Sequence, residues 1–249
     1  MSAAAGKYLW AAGLGRCEMS EHVFLPEFEV SYDDRIIYER LRVKPGSGPE
    51  RRLEALLPVA KALARPRAVF KIIAPQSAGE KKVSLDGVVF KSELLSKHLS
   101  EAQWAFPFTA TCGRELDEWA RSLSGLEQFM ANEIMIVTLH QAVRRVEEML
   151  RHRFELTEVS AMNPGSLPSE WPIMEQQPLF ELLGDLPGQI GVRLLPSLLM
   201  DPGKSVSGIY FRTAEKFHNC QLCTKADCPS RRSPFQGEGH DAGYAPAGH

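Results

Sequence analysis

The chain has 249 residues, of which 44% are hydrophobic and 24% are charged, and its formal net charge is −2. This composition is that of a globular protein with an ordinary core, and the near-neutral charge excludes a global electrostatic footprint for nucleic acid. Its apolar runs fall short of the roughly 18 residues that a membrane span needs, so no membrane partner is expected. The five cysteines are an odd number, and this favours a reduced, cytoplasmic protein over a disulfide framework.

Residue patterns along the chain predict a mixture of helices and strands. In chain order, the predicted elements are strand 28–30, helix 35–41, helix 53–63, strand 68–73, hairpin 83–90, helix 92–99, strand 104–111, helix 114–123, helix 126–153, strand 154–162, helix 175–183, strand 192–200 and strand 205–211. Asp33 is a predicted cap of the first helix, and Asp86-Gly87 is a strong hairpin signal. Ser124 and Glu127 form a capping-box pattern before the longest helix.

Proline marks two of these strands as interrupted. Pro107 falls inside strand 104–111, and because proline cannot donate a ladder hydrogen bond, this strand is predicted to be an edge strand or to contain a bulge. Pro196 similarly interrupts strand 192–200. Strands and helices do not alternate regularly, so the pattern favours an α+β fold with an antiparallel sheet.

The predicted domain organisation is simple. Residues 1–24 are expected to be weakly ordered, and residues 25–217 are expected to form one α+β domain. Residues 218–235 form a cysteine-rich tail with metal-binding potential, and residues 236–249 have the composition of a disordered C-terminus.

Two turns share a Pro-Gly pair at the end of an apolar segment. Pro164-Gly165 follows strand 154–162, and Pro202-Gly203 follows strand 192–200. Proline fixes φ and glycine accepts a positive φ, so each pair predicts a type II turn. A glycine there leaves backbone groups that a ligand can approach. The simpler alternative is that both pairs are plain connecting turns.

A resemblance to a known family lies mainly between residues 154 and 211. The sequence resembles the activation domain of vitamin B12-dependent methionine synthase, most specifically in the run Lys204–Phe211 (KSVSGIYF). The run 111–116 (TCGREL) looks like the stand-alone relatives of that domain, which also end in a cysteine-rich tail. The resemblance implies an α+β fold, a twisted antiparallel sheet with flanking helices.

The resemblance also implies a function. Family members bind S-adenosylmethionine in a shallow groove and meet the corrinoid of a partner, a corrinoid (B12-binding) protein or methyltransferase. They support methionine synthase by reductive remethylation: one electron and the methyl group of S-adenosylmethionine convert inactive Co(II) to methyl-Co(III). The cofactor then carries the difficult chemistry, and the protein binds and orients it.

The resemblance and the two turns together give a set of cofactor-binding candidates. They are Pro164, Gly165, Ser166, Gly203, Ser207, Gly208 and Tyr210. The family's loop has an arginine four residues before its glycine and a tyrosine directly after it. This chain has Ala161 and Ser166 at those positions, and therefore lacks a cation for the ligand carboxylate and a ring to pack on it.

The tail cysteines predict a metal centre. Cys220, Cys223 and Cys228 follow a CxxCxxxxC spacing, with His218 nearby. Three readings stay open: an iron–sulfur cluster, a structural zinc site, or unliganded thiols. An iron–sulfur cluster would supply the electron that reactivation requires. For a cluster, Cys112, or alternatively Cys17, is the candidate fourth ligand, unless the fourth position is open to a substrate or partner. For zinc, His218 would supply the fourth ligand.

Other polar residues have simpler interpretations. His140 lies near the apolar stripe of the long helix and is interpreted as a core histidine, whereas Glu147 and Glu148 are interpreted as part of a solvent-facing surface. A rival function is a non-enzymatic module that binds a corrinoid protein and uses a zinc-stapled tail for recognition.

Overall fold

The computed structural model describes residues 21–25, 28–31, 33–100, 102–213, 217–225, 228, 231 and 233–236. The predictions for residues 1–20 and 237–249, and for Cys17, lie outside this described part. None of the helices in the described part combines the length and the apolar character that crossing a bilayer requires.

Helices and strands in the described residues follow the predicted mixture. The helices are α1 (Asp34–Leu41), α2 (Gly48–Leu63), α3 (Glu93–Leu99), α4 (Arg114–Ser122), α5 (Gly125–Phe154), α6 (Gln176–Leu183) and α7 (Leu186–Gln189). The strands are β1 (Glu21–Leu25), β2 (Arg67–Ile72), β3 (Gln76–Ser77), β4 (Lys82–Leu85), β5 (Val88–Lys91), β6 (Ala105–Thr111), β7 (Val159–Met162), β8 (Arg193–Leu194), β9 (Met200–Asp201) and β10 (Ser205–Arg212).

A five-stranded sheet organises the molecule. Its strand order is β1-β2-β6-β10-β7, and every neighbouring pair is antiparallel. Strands β3, β4 and β5 form a separate small sheet, and β8 pairs with β9. The predicted α+β class with an antiparallel sheet is therefore confirmed.

At the start of several helices, a short polar side chain accepts a hydrogen bond from a backbone N–H group of the first turn. Asp33 Oδ1 accepts a hydrogen bond from Arg35 N (3.0 Å), and Ser92 Oγ accepts one from Leu95 N (3.0 Å). These bonds satisfy donors that have no partner inside the helix. At α5, by contrast, Ser124 occupies the N-cap position but its side chain makes no cap hydrogen bond, so the predicted capping box is not formed.

Helix α5 packs against both a helical layer and the sheet. Its N-terminal half shares a core with α1, α2 and α4, and its C-terminal half packs on β2, β6 and β10. The opposite face of the sheet is covered by α6, α3 and the β4–β5 hairpin. The sheet is thus buried on both faces, and α5 is long because it serves two core clusters.

Four strand predictions differ from the structure. Of the predicted strand 154–162, only β7 (Val159–Met162) forms, because α5 continues to Phe154. Residues 28–30 are not a strand, and the N-terminal strand is β1. The predicted strand 192–200 is instead the two-residue pair β8 and β9, because the chain turns back on itself between them. Strand β6, which contains Pro107, is central rather than at an edge; its pairing with β2 stops at Phe70↔Phe108 and resumes as a single bridge at Ile73↔Ala105. The missing proline donor is therefore accommodated by a local gap in one ladder.

Candidate functional site

A cavity of about 360 Å³ lies between α5, β7, β10 and the segment that follows β10. We call residues 217–223, which approach it, the tail segment. The cavity is lined by Phe108, Leu139, His140, Val143, Glu147, Val159, Ser160, Ala161, Asn163, Ser166, Val206, Tyr210, Phe217, His218, Asn219, Cys220 and Cys223. Its volume falls within the range of about 300–1,000 Å³ that is typical of small-molecule sites.

The alternation of side chains along β10 explains which of its residues reach the cavity. Val206 and Tyr210 point towards α5 and line the cavity, whereas Ile209 and Phe211 belong to the core on the other face. Successive strand residues point to opposite faces, so Ser207 faces away from the cavity. Its hydroxyl is buried and has no hydrogen-bond partner among the described residues.

Gly208 allows the turn after β7 to approach the middle of β10. A Cβ atom at this position would collide with Met162 O and would lie 2.5 Å from Asn163 Nδ2 and 3.0 Å from Phe108 Cε1. Because the glycine leaves this space free, Asn163 Nδ2 donates a hydrogen bond to Ser207 O at 2.8 Å. Ser207 and Gly208, both predicted to bind the cofactor, therefore shape this region without using a side chain. Ser207 accepts a hydrogen bond with its backbone carbonyl, and Gly208 leaves room for the turn because it has no Cβ atom.

The turn at residues 163–166 has the predicted type II geometry. Ser166 N donates to Asn163 O (3.1 Å), and Gly165 has a φ of +80°. A Cβ atom on Gly165 would lie 2.9 Å from Ile173 Cδ1, so this glycine is also required by packing. Pro164 is buried, and Ser166 is the member of the turn motif that lines the cavity together with Asn163.

The second Pro-Gly turn lies elsewhere and has a different geometry. Gly203 does not have a positive φ, so the predicted type II turn is wrong there, and its N–H donates to Asp117 Oδ1 at 3.2 Å. Gly203 lines a separate cavity of about 240 Å³, together with Arg121 and Lys204 among others. The two turns therefore do not form one cleft.

Aromatic and acidic groups determine the electrostatics of the cavity. The Tyr210 hydroxyl donates to Glu147 Oε1 at 3.5 Å, and its ring packs against Phe108 with 4.3 Å between centroids. Among the described residues that line the cavity there is no lysine or arginine. A ligand carboxylate would consequently find no lysine or arginine among these described lining residues.

The tail segment is anchored at its first residue. Phe217 N donates to Ser160 Oγ (2.8 Å), and the Phe217 ring lies 4.9 Å from the His98 ring, which stacks at 4.9 Å on Phe211. Burial lowers the pKa of His98, with a smaller contribution from Lys97. The imidazole is therefore neutral at pH 7 and packs as an aromatic ring.

Arg231 organises the cysteines through their backbone. Its guanidinium donates to the carbonyl oxygens of Cys220 (2.8 Å), Cys223 (3.0 Å) and Ser233 (3.2 Å), and its own N–H donates to Cys228 O (3.0 Å). These contacts fold the CxxCxxxxC loop around one cation. The Arg231 guanidinium thus contacts the backbone carbonyl groups of this loop.

The sulfur atoms of the described cysteines do not form a recognisable metal site. Cys220 and Cys223 line the cavity, and Cys228 is half-buried. Within the described ranges, no three histidine, cysteine, aspartate or glutamate side chains come together so that they could hold a metal ion. The metal-binding role of these cysteines stays a prediction.

Cys112, the proposed fourth ligand, lies in a different environment. It is fully buried in the core formed with α2, α4 and α5, and its Sγ donates to Gly113 O at 3.6 Å. Burial, followed by the charge of Asp117, raises the pKa of its thiol to about 12. The described tail residues do not enter this core cluster. The structure therefore places Cys112 as a packing residue.

Several residues of the cavity were not assigned to a site by sequence reasoning. His140 and Glu147, interpreted as core and solvent-facing residues, line the cavity with Leu139 and Val143. Their spacing along α5 puts them on one helical face, which is the signal that could have found them. Asn163 and Asn219 carry no such signal, because their place depends on the tertiary fold.

Comparison with known proteins identifies the fold. No family model and no curated protein matches the sequence. The crystal structure of the MetH reactivation domain bound to AdoHcy is similar over 81% of this chain and 81% of that chain, with a TM-score of 0.58 and 15% sequence identity. The chain therefore has the fold of the MetH reactivation domain, as its resemblance to the methionine synthase activation domain predicted.

Proposed function

We propose that this chain binds an S-adenosyl ligand in the cavity between β10, α5 and the tail segment, and that it supports cobalamin-dependent methyl transfer in a corrinoid-protein partner. The observation that carries the proposal is the convergence of Ala161, Ser166 and Tyr210 on one cavity. These are the positions where the sequence resemblance implied ligand binding. The structural relative carries AdoHcy in the same fold.

The small side chains at two of these positions define how the ligand would be held. Ala161 and Ser166 leave space where the family's arginine and tyrosine would stand, and the tail segment closes the cavity from the other side. Aromatic rings of Phe108, Tyr210 and Phe217 supply apolar contact area for a purine or a ribose. With no arginine for the carboxylate, we expect weak binding rather than tight binding.

Calorimetry with AdoHcy and S-adenosylmethionine tests the proposal directly. The wild-type chain should bind at least one of them at millimolar concentration or below. Ala161→Arg should tighten binding about ten- to a hundredfold, because a charge-assisted hydrogen bond to a carboxylate contributes about 1.5–3 kcal/mol. Ala161→Gln, which adds a neutral hydrogen-bonding side chain that is shorter than that of arginine, is the control. No heat with either ligand for the wild type would end the proposal.

The metal centre is a separate part of the proposal. An iron–sulfur cluster in the tail would supply electrons for reductive reactivation, but the described cysteines do not form a fitting ligand set. We assign no step to it. Iron analysis and a broad absorbance near 400 nm, measured on protein prepared without oxygen, would support a cluster, whereas protein with neither would remove it.

A second candidate function is a binding module without catalysis. The absence of lysine and arginine among the described lining residues favours it, because the amino-acid part of the ligand then has no strong partner. Such a module would bind a corrinoid protein regardless of S-adenosyl ligands. Co-sedimentation with a corrinoid protein, with and without S-adenosylmethionine, separates the two functions.

A further inference from the structure

Cys220 and Cys223 occupy the two ends of one backbone turn. Gln221 is the last residue of the 3-10 turn Asn219–Gln221, and Leu222 follows it with a φ of −109° and a ψ of −2°. Two successive residues in this right-handed region form a type I turn, and the cysteines are its first and fourth residues. The Cα atoms of such a pair lie less than about 7 Å apart.

The separation and the placement of the two side chains match those of a disulfide. A disulfide usually joins Cα atoms that are about 4.4–6.8 Å apart, a range that overlaps the separation set by the turn. Both cysteines line the same cavity, so their side chains extend into one space. Both are half-buried thiols in the structure, so a small reagent has access to them.

Arg231 holds the ends of this turn together. Its Nη1 atom donates to Cys220 O (2.8 Å), and its Nη2 atom donates to Cys223 O (3.0 Å). One planar guanidinium thus bridges the carbonyl groups of both cysteines. The two residues therefore have fixed positions relative to each other, unlike cysteines in an unstructured chain.

Cys228 does not share this arrangement. It is half-buried, but it is not among the described residues that line the cavity. The described cysteines also do not come together as a group of three ligands around a metal ion. Zinc and iron–sulfur sites in proteins usually have four ligands, whereas a disulfide needs two thiols. The described residues therefore fit a dithiol pair better than a metal centre.

We infer that Cys220 and Cys223 form a reversible disulfide on the wall of the cavity. The bond would bring their sulfur atoms to about 2.05 Å and so change the wall that an occupant of the cavity contacts. The inference goes beyond the proposed function, because it holds whether or not an S-adenosyl ligand binds.

The oxidant is a low-molecular-weight disulfide such as glutathione disulfide. The thiolate of one cysteine attacks it, which forms a mixed disulfide and releases one glutathione thiolate. The thiolate of the other cysteine then attacks the protein sulfur of the mixed disulfide and releases the second glutathione thiolate. The two protons of the cysteine thiols end on the two glutathione molecules, so the pair is oxidised by two electrons and glutathione disulfide is reduced by two.

Oxidation of the full chain with glutathione disulfide tests the inference. After alkylation of the remaining thiols, peptide mapping by mass spectrometry should find one bond that joins Cys220 to Cys223, and dithiothreitol should reverse it. Cys228→Ser should form the same bond at a rate within about twofold of wild type, because Cys228 takes no part in the exchange.

Cys220→Ser is the matched variant that separates the effect of the turn from that of cysteine content. It keeps two of the three tail cysteines, as Cys228→Ser does. It should accumulate mixed disulfides with glutathione. Any bond between Cys223 and Cys228 should form roughly tenfold more slowly or less, because no single turn holds those two thiols close together.

Three results would overturn the inference. The first is a main product in which Cys228 is joined to either of the other two cysteines. The second is an intramolecular bond that forms equally fast in Cys220→Ser and Cys228→Ser. The third is a wild-type chain whose tail cysteines form no intramolecular bond, including one in which a metal found by elemental analysis protects them. None of these results concerns AdoHcy binding, so the proposed function is decided separately by its own calorimetry.

Discussion

Asp201 is a buried carboxylate that three arginines share. It accepts hydrogen bonds from Arg121 (2.8 Å), Arg193 (2.9 Å) and Arg114 (3.4 Å), and its side chain is only 6% exposed. The hydrogen bond from Arg121, followed by that from Arg193, holds the pKa of this carboxyl below its usual range. Asp201 thereby fastens α4 to the β8–β9 hairpin.

Asp201→Asn should destabilise the fold by about 2 kcal/mol at pH 7, because it removes charge-assisted hydrogen bonds. Since the folded-state pKa is depressed, the contribution of the carboxylate is complete above its unfolded pKa of about 3.9 and is lost as the pH falls below it. Urea unfolding of wild type and variant between pH 7 and pH 3 should show the difference shrinking. Asp185→Asn, at an exposed carboxylate, is the control; a difference independent of pH would contradict the argument.

Cys112 should be unreactive in the folded protein. Its thiol pKa of about 12 leaves little thiolate at pH 8, and it is fully buried. Alkylation mapped by mass spectrometry should be roughly a thousandfold slower at Cys112 than at a thiol of ordinary pKa. Cys220, Cys223 and Cys228 serve as internal references. Comparable labelling of Cys112 and the tail cysteines would show that it is not a packing residue.

At the scale of elements, the contact between β10 and the turn after β7 shapes the cavity. Gly208 permits this contact, and the hydrogen bond from Asn163 to Ser207 O depends on it. The β7–β10 ladder itself is short, from Ile209↔Met162 to Arg212↔Val159. A change at Gly208 therefore acts on the edge strand and on the cavity together.

Gly208→Ala should lower the free energy of unfolding by about 1–3 kcal/mol, because overpacking forces the turn away from β10. Gly188→Ala, where an added Cβ meets nothing within 4 Å, is the control and should be near neutral. Chemical unfolding of both variants checks the difference. Equal stability of the two variants would mean that the turn moves without cost.

Some strands follow from a local sequence signal, whereas the position of others depends on pairing with neighbouring strands. The β4–β5 hairpin follows from Asp86 (φ 51°) and Gly87 (φ 83°), a purely local signal. The position of β6 is decided by its two neighbours, which no property of Pro107 reveals. A short gap in the β2 ladder was enough to place a proline at the centre of the sheet.

At the scale of the whole molecule, the tail folds back onto the domain. Phe217 is held by His98 and Ser160, Asn219 by Asn163, and the cysteine loop by Arg231. These contacts add a wall to the cavity without adding a strand to the sheet. Loosening the tail should therefore leave the free energy of unfolding of the domain nearly unchanged.

Arg231→Ala should release the cysteine loop while the domain stays folded. Loss of a charged donor to the Cys220 and Cys223 carbonyl groups should speed amide hydrogen exchange in residues 217–225 roughly tenfold. The unfolding midpoint of the domain should change little. Arg231→Lys keeps the charge but lacks the fork of donors, so it should resemble Arg231→Ala. Unchanged exchange in both variants would contradict the role of the guanidinium.

Local sequence patterns determined several features of the fold. Residue spacing and capping residues predicted the helices, Asp86-Gly87 predicted the hairpin, and Pro164-Gly165 predicted the type II turn. The order of the predicted elements indicated the α+β class. The run KSVSGIYF carried the resemblance from which the fold was predicted, and the chain has that fold, which it shares with the MetH reactivation domain. These features depend on neighbours in the sequence, which the sequence displays directly.

Only the tertiary structure decided what converges on the cavity. It brought Ser166, Tyr210 and Asn219 to one site, placed Gly203 at another cavity, and buried Cys112 in a separate core. Each of these outcomes depends on contacts between residues that are far apart in the chain. Strand pairing and close packing determine these contacts, and the local sequence does not show which residues will meet.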